Sequence, residues 1–293
     1  MKKLTEPVNT EAVSMLDDMI KRKKREDYAK RLSAYRDYIV RRYTVFEKKK
    51  DILENVGSSK IVTEEDKDAI HSSFNTSFKK RMKEKELKKV YEECEGVCPY
   101  CGNGKIEEVD HYVPKENYPE FTLYPNNLIP LCNKCNKKKG DKFVDTRNER
   151  QFINFYSDCI DDIPFLNVEI DFDPSDIKRT TEVKYTADFS KILDSRLRKI
   201  VKDHYKYLDL LCRYNEAAAD EISELLSVLQ GQPDREKSRV KIMADGWILG
   251  KRDSQLLKAG SNDWKYLLYE KLYAIKYADE LVEYVCTNKA VRK

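Results

Sequence analysis

Two C-x-x-C pairs, Cys98/Cys101 and Cys132/Cys135, bracket an adjacent Asp110-His111 and two asparagines, Asn127 and Asn136. Four thiolates arranged as two knuckles are the soft donor set that Zn²⁺ selects, and four cysteines fill its tetrahedral shell, so this site reads as structural. Cys94, four residues ahead of the first knuckle, falls outside the spacing and reads as a spare. The loop between the knuckles is longer than a plain zinc ribbon needs, and it carries the reactive groups. His111 has an ordinary pKa of about 6.5, suited to a general base at neutral pH. Asp110 and the side-chain oxygen of Asn136 are hard donors of the kind Mg²⁺ or Mn²⁺ takes while keeping several waters. This set fits metal-assisted hydrolysis, where water must be activated and the leaving group's charge neutralised. Asn127 is expected to hold the backbone or ring of the His111 strand through its amide. Lys138 and Lys139, expected early in a following helix, are candidate phosphate contacts, with plain solvated lysines an equal alternative.

Those groups need elements to aim them. Ile106 to Val113 reads as a strand, Asn127 to Leu131 as its returning partner, and Cys132 to Lys139 as a short helix ending near Gly140. Neighbours on a strand project to opposite faces, so Asp110 and His111 should look in different directions unless a bulge re-aims one. The segment CPYCGNGKIEEVDHYVPKENYPEFTLYPNNLIPLCNKCNKKKGDKF, with Asp-His, Asn-Leu and C-x-x-C-Asn in that order, resembles the HNH endonuclease family and its zinc-stabilised ββα-metal fold. The resemblance covers about fifty residues. The last histidine position of the family pattern is Asn136 here and its middle position is Asn127, which leaves His111 as the one histidine of the site. It implies a metal-dependent nuclease with His111, Asp110, Asn127 and Asn136 in the active centre. A wider resemblance over residues 91–270, through FINFYSD, DHYKYLDLLCRYN and GSNDWKYLLYE, is to the HNH subunit of Septu-type anti-phage systems, also found beside some retrons. That resemblance implies an ATPase partner encoded alongside, and it does not reach the first 90 residues.

The remainder of the 293 residues is charged and helix-rich. Net charge is only +4, but residues 1–90 carry +8, residues 91–145 −3 and residues 146–293 −1. A basic arm beside an acidic centre fits a nucleic-acid enzyme, and equally a solvated helical surface. Asn9 to about Leu53 reads as one long amphipathic helix, Val56-Gly57-Ser58-Ser59 as a break, and Thr63 as the cap of a second helical stretch running brokenly to Glu93. Phe165–Phe172 and Thr180–Tyr185 read as a hairpin, followed by helices near 189–212, 214–230, 234–250 and 262–286. The expected fold is mainly α with a small ββα-metal module and a short β-hairpin, α+β overall. It divides into a basic helical region (1–93), a zinc-stapled core (94–145) and a mostly helical region (146–293) with the hairpin near 165–185. His71 and His204 sit in polar and packing stretches and are not assigned to chemistry. No apolar run is long enough to span a bilayer and the start carries no signal segment, so a soluble cytoplasmic protein is expected. Three readings compete: a DNA nuclease, which is favoured; an RNA nuclease; and a zinc ribbon that only binds nucleic acid or protein. A single HNH centre cuts one strand, so a homodimer is an option for cutting both.

Overall fold

The structure is a computed structural model and describes residues 3–7, 9–160, 163–177, 181–231 and 236–287. Among the described residues there are eleven α-helices and two small antiparallel sheets of two strands each, a mainly α architecture with a small β component. No helix among them is long and apolar enough to cross a membrane.

The chain forms two compact units. One comprises residues 3–159 together with 199–208; the other comprises 160–198 and the stretch from 209 onward. The boundaries differ from the three-part division expected above, because residues 3–7 and 9–93 pack with the four-cysteine segment as one body.

In the first unit, α1 (Ala12–Lys21) and α2 (Glu26–Lys48) replace the single helix expected over residues 9–53. The break falls at Arg22–Arg25, inside the run Lys21-Arg-Lys-Lys-Arg25. Like charges one turn apart repel, and no apolar residue there continues the buried stripe. Arg36 on α2 then grips Asp17 on α1 through two hydrogen bonds of 2.6 and 2.9 Å, folding the pair together. Thr63 caps α3 (Glu64–His71) by accepting from Asp66 N, and Asn75 caps α4 (Thr76–Glu84) by accepting from Phe78 N. After α5 (Lys88–Cys94) comes the central hairpin, β1 (Glu108–His111) against β2 (Leu128–Leu131), and then α6 (Asn133–Lys139). Both strands are shorter than expected, but the strand–strand–helix order is as read from the sequence.

In the second unit, β3 (Leu166–Asp171) pairs with β4 (Glu182–Ala187) in the register Val168↔Tyr185. The expected start of the return strand at Thr180 lies outside the described residues. The helices are α7 (Ser195–Leu208, of which 199–208 belong to the first unit), α8 (Leu210–Gln230), α9 (Lys237–Ala259), α10 (Trp264–Ala274) and α11 (Tyr277–Thr287). The expected beginning of α9 at 234 lies outside the described residues, while its end runs nine residues past the expected 250. The helix expected at 262–286 is split where Lys276 adopts φ 54°, and Asp209 with φ 55° separates α7 from α8. Tyr214 stacks on Trp264 at 5.7 Å and the Tyr185 hydroxyl donates to the Trp264 carbonyl, fixing the hairpin to α8 and α10.

Candidate active site and metal centre

The Sγ atoms of Cys98, Cys101, Cys132 and Cys135 all lie within 4.8 Å of one another, and all four residues are buried. Cys101 and Cys132 are 3.9 Å apart. Four sulfurs on a tetrahedron about 2.3 Å from a zinc ion would be separated by about 3.8 Å, so the donor set fits Zn²⁺ in both chemistry and size. Cys94, though buried, is not part of the cluster. Backbone N–H groups of Gly104 and Cys135 donate to Cys101 Sγ and Cys132 Sγ at 3.3 and 3.4 Å, which orients the sulfurs and stabilises their thiolate form. Gly104 is required for packing: a Cβ there would sit 2.7 Å from Cys132 Cβ and Sγ. Hydrogen bonds from the Cys132, Cys135 and Cys98 thiols pull Cys101 far below the ordinary thiol range, whereas burial pushes Cys98 up. A divalent cation held by these four sulfurs would let all of them ionise.

The hairpin places Asp110 opposite Ile129 and His111 opposite Leu128. Strand alternation turns the two side chains apart: His111 is buried at 4% exposure and Asp110 is half-buried. Asp110 looks toward α6, where Lys139 Nζ lies 2.9 Å from its Oδ2. Lys139 is 1% exposed and also donates to the carbonyls of His111 (2.7 Å) and Gly140 (3.2 Å). Its ammonium is thus committed to the protein interior and serves to pin β1 to α6. That geometry argues against the phosphate contact considered for it from sequence, as does its place in the last turn of the helix. Lys138, in the same last turn, remains half-exposed. Asn136 stands one turn before Lys139 on the same face of α6, half-buried.

His111 Nε2 lies 3.0 Å from the Thr122 carbonyl oxygen. A carbonyl only accepts, so Nε2 carries the proton and Nδ1 keeps the lone pair. Burial lowers the imidazole pKa to about 3; the Thr122 carbonyl opposes this, and the charges of Lys139 and Lys115 reinforce it. At neutral pH the ring is therefore uncharged. The Phe74 ring, from the turn between α3 and α4, lies 4.4 Å from the imidazole at a tilt of 52°.

Asn127 is fully buried and closes the loop between the strands. Its Oδ1 accepts from Val113 N at 2.7 Å, and its Nδ2 donates to Val113 O (3.0 Å) and Phe121 O (3.2 Å). The amide thereby fixes the chain two residues beyond His111 and one residue before Thr122. The turn Pro119–Phe121 is held from the other side by a buried ion pair: Arg42 Nε on α2 donates to Glu120 Oε1 at 2.7 Å. Ser59 Oγ donates to Glu120 Oε2 at 2.6 Å. Neither Phe74 nor the Arg42–Glu120 pair was picked out from sequence. The available signals were a phenylalanine lodged in the polar capping stretch Ser72–Thr76 and a glutamate, the one charged residue, in the turn Tyr118–Tyr124.

The other two histidines have structural partners. His204 is completely buried; Ile153 N donates to its Nδ1 at 3.3 Å and its Nε2 donates to the Tyr100 carbonyl at 2.9 Å, between the first two cysteines. His71 Nε2 faces the Lys115 carbonyl at 3.1 Å, and burial lowers its pKa.

Comparison with known proteins agrees with this arrangement. Residues 98–142 match the family model described as HNH endonuclease. Protein ea31 of Escherichia phage lambda is 45% identical over 49 residues, 16% of this chain and 17% of that protein. Septu protein PtuB of Bacillus thuringiensis is 42% identical over 48 residues, 15% of this chain and 19% of that protein. The chain thus aligns with less than a fifth of the length of these curated relatives. No solved structure matches. Residues 98–142, folded as hairpin and helix around a four-cysteine cluster, are an HNH endonuclease domain.

Proposed function

We propose that this protein is a metal-dependent endonuclease that hydrolyses phosphodiester bonds of nucleic acid, with DNA as its substrate. The observation that carries the reading is the buried, neutral His111, proton fixed on Nε2 by Thr122, adjacent in sequence to the Asp110 carboxylate. A zinc ribbon that only binds has no use for such a pair. Nδ1 of His111 takes a proton from the attacking water. A phosphodiester brought against it adds negative charge, which raises the proton affinity of the imidazole toward the working range. Asp110 and Asn136 would hold Mg²⁺ or Mn²⁺ with retained waters, and Cys98, Cys101, Cys132 and Cys135 would hold Zn²⁺. When bound, the hard cation supplies charge neutralisation at the phosphoryl and leaving oxygens. Asn127 keeps the loop closed so that the imidazole stays in register. Lys138 is the lysine of the pair that can meet a flanking phosphate.

The identity with a Septu protein, together with the longer resemblance in the sequence, favours an anti-phage effector working with an ATPase partner. The basic charge of residues 1–90 supports nucleic acid as the target. An RNA substrate is the second reading, because the same metal-assisted hydrolysis can cut RNA. The test is cleavage of matched DNA and RNA by the purified chain with Mg²⁺ or Mn²⁺, beside His111→Ala. Loss of cleavage in a variant that keeps zinc and fold supports catalysis. Equal cleavage by the variant, or none by the wild type, sinks the nuclease reading.

A further inference from the structure

We propose that Phe74 is a positioning residue for the His111 imidazole, supplied from outside the HNH segment. The inference rests on the nuclease reading of His111. Phe74 lies 24 residues before the first matched position, on the turn joining α3 to α4. Its ring meets the imidazole at 4.4 Å and 52°, a close ring contact at the short edge of the distances over which aromatic pairs attract.

The turn that carries it is built to hold still. Ser73 N and Phe74 N donate to the carbonyls of Ile70 and His71 at 2.9 Å each, and the Ser73 side chain is buried at 2% exposure. Asn75 then caps α4, and Phe78, the residue whose N–H it accepts, lies 5.5 Å from the Phe74 ring and is itself buried. Lys79 sits over the Phe74 ring at 5.2 Å. Phe74 is therefore wedged between its own turn and the imidazole.

The imidazole needs such a contact. Its Nε2 is tethered to Thr122, but one hydrogen bond does not by itself set the tilt of the ring about that axis, and Nδ1 moves with the tilt; the packing around the buried ring has to set it. A second contact on the ring removes this freedom. Two restraints from different parts of the chain, a carbonyl at one nitrogen and a tilted aromatic ring 4.4 Å away, fix both the tautomer and the direction of the Nδ1 lone pair. Misplacing a reacting group by an ångström slows a reaction about a hundredfold, and a partial misalignment should cost about tenfold.

The experiment compares the full-length wild type, Phe74→Leu, Phe74→Ala, Phe74→Tyr and His111→Ala, each checked for zinc content and thermal midpoint. Phe74→Leu should lower kcat by roughly tenfold to a hundredfold with KM within twofold, and Phe74→Tyr should restore most of the rate. If Phe74→Ala fails to fold, Phe74→Leu still decides, because leucine keeps most of the volume without the flat face. A raised KM at unchanged kcat overturns the proposal by making Phe74 a substrate contact. Unchanged kinetics in Phe74→Leu beside an inactive His111→Ala overturn it while leaving the nuclease reading intact. A wild type inert on every nucleic acid removes both.

Discussion

Lys139 and Asp110 meet at 2.9 Å across the junction of α6 and β1, with the lysine 1% exposed. A cation held in this way neutralises the carboxylate proposed as a metal ligand and joins the two elements that must face each other in a ββα module. Lys139→Met should destabilise the protein by about 2 kcal/mol, less than for a fully enclosed pair because Asp110 keeps access to water. It should leave the salt dependence of nucleic-acid binding unchanged. Lys138→Ala should reduce that log–log slope by about one while leaving stability alone. Urea melts and binding titrations at several salt concentrations decide it; a shallower slope for Lys139→Met would mean that the buried lysine reaches substrate after all.

Arg42 and Glu120 form a pair in which the carboxylate is wholly enclosed and also accepts from Ser59. Removing one partner leaves the other charge without compensation, so Arg42→Met should destabilise by about 3–5 kcal/mol, and adding Glu120→Leu should recover part of the loss. Thermal or urea unfolding of the three variants measures it. Equal loss in the single and double variants would count against coupling between these two residues.

The cysteine cluster makes a prediction about reactivity. Cys159 and Cys212 are exposed and should modify promptly with a thiol reagent. Burial raises Cys94 to about 12, so it should react only on unfolding. Cys98, Cys101, Cys132 and Cys135 should react after a chelator removes one zinc per chain, with the hairpin losing order at the same time. Mass spectrometry of labelled peptides, with and without chelator, tests it. Prompt labelling of all four in the metal-loaded protein would disprove the metal site.

The lowered pKa of His111 fixes the sign of an acid effect. An unfolded histidine takes up a proton near pH 6.5, whereas His111 in the folded chain does so only near 3. Between those values the unfolded state binds more protons, so stability falls as pH falls and is constant above about 7. From pH 7 to 5.5 this group should remove about 1 kcal/mol, a loss absent from His111→Asn. Urea midpoints of the two proteins at both pH values give the difference directly; parallel losses would contradict a neutral buried imidazole.

What the sequence made legible was local. The knuckles, Asp110-His111 and the strand–strand–helix order are short-range patterns whose residue types announce their chemistry. Asn127 lies between strands where a buried amide can satisfy two backbone directions, and its spacing from the second knuckle was readable as well. Lys139 was misjudged because a lysine in a basic run looks solvated until packing is known. Phe74, Arg42 and Glu120 act through contacts between residues far apart in the chain, which no spacing reveals. The split of the first helix has its local signal in five consecutive basic residues, Lys21 to Arg25, set between two stretches of amphipathic stripe.

His204 gives the N-terminal unit an unusual order of completion. Its Nε2 supplies the donor for the Tyr100 carbonyl, inside the first cysteine knuckle, from a helix that the chain reaches only after leaving that unit at residue 159 and returning at 199. A ribosome that has made the entire hairpin, all four cysteines and α6 has still not made the residue that closes the knuckle's buried carbonyl. During synthesis the hairpin and its cysteine cluster therefore stay unfinished until residues 199–208 have emerged. A nascent chain halted before them would hold every candidate site residue and lack the last brace behind the four sulfurs.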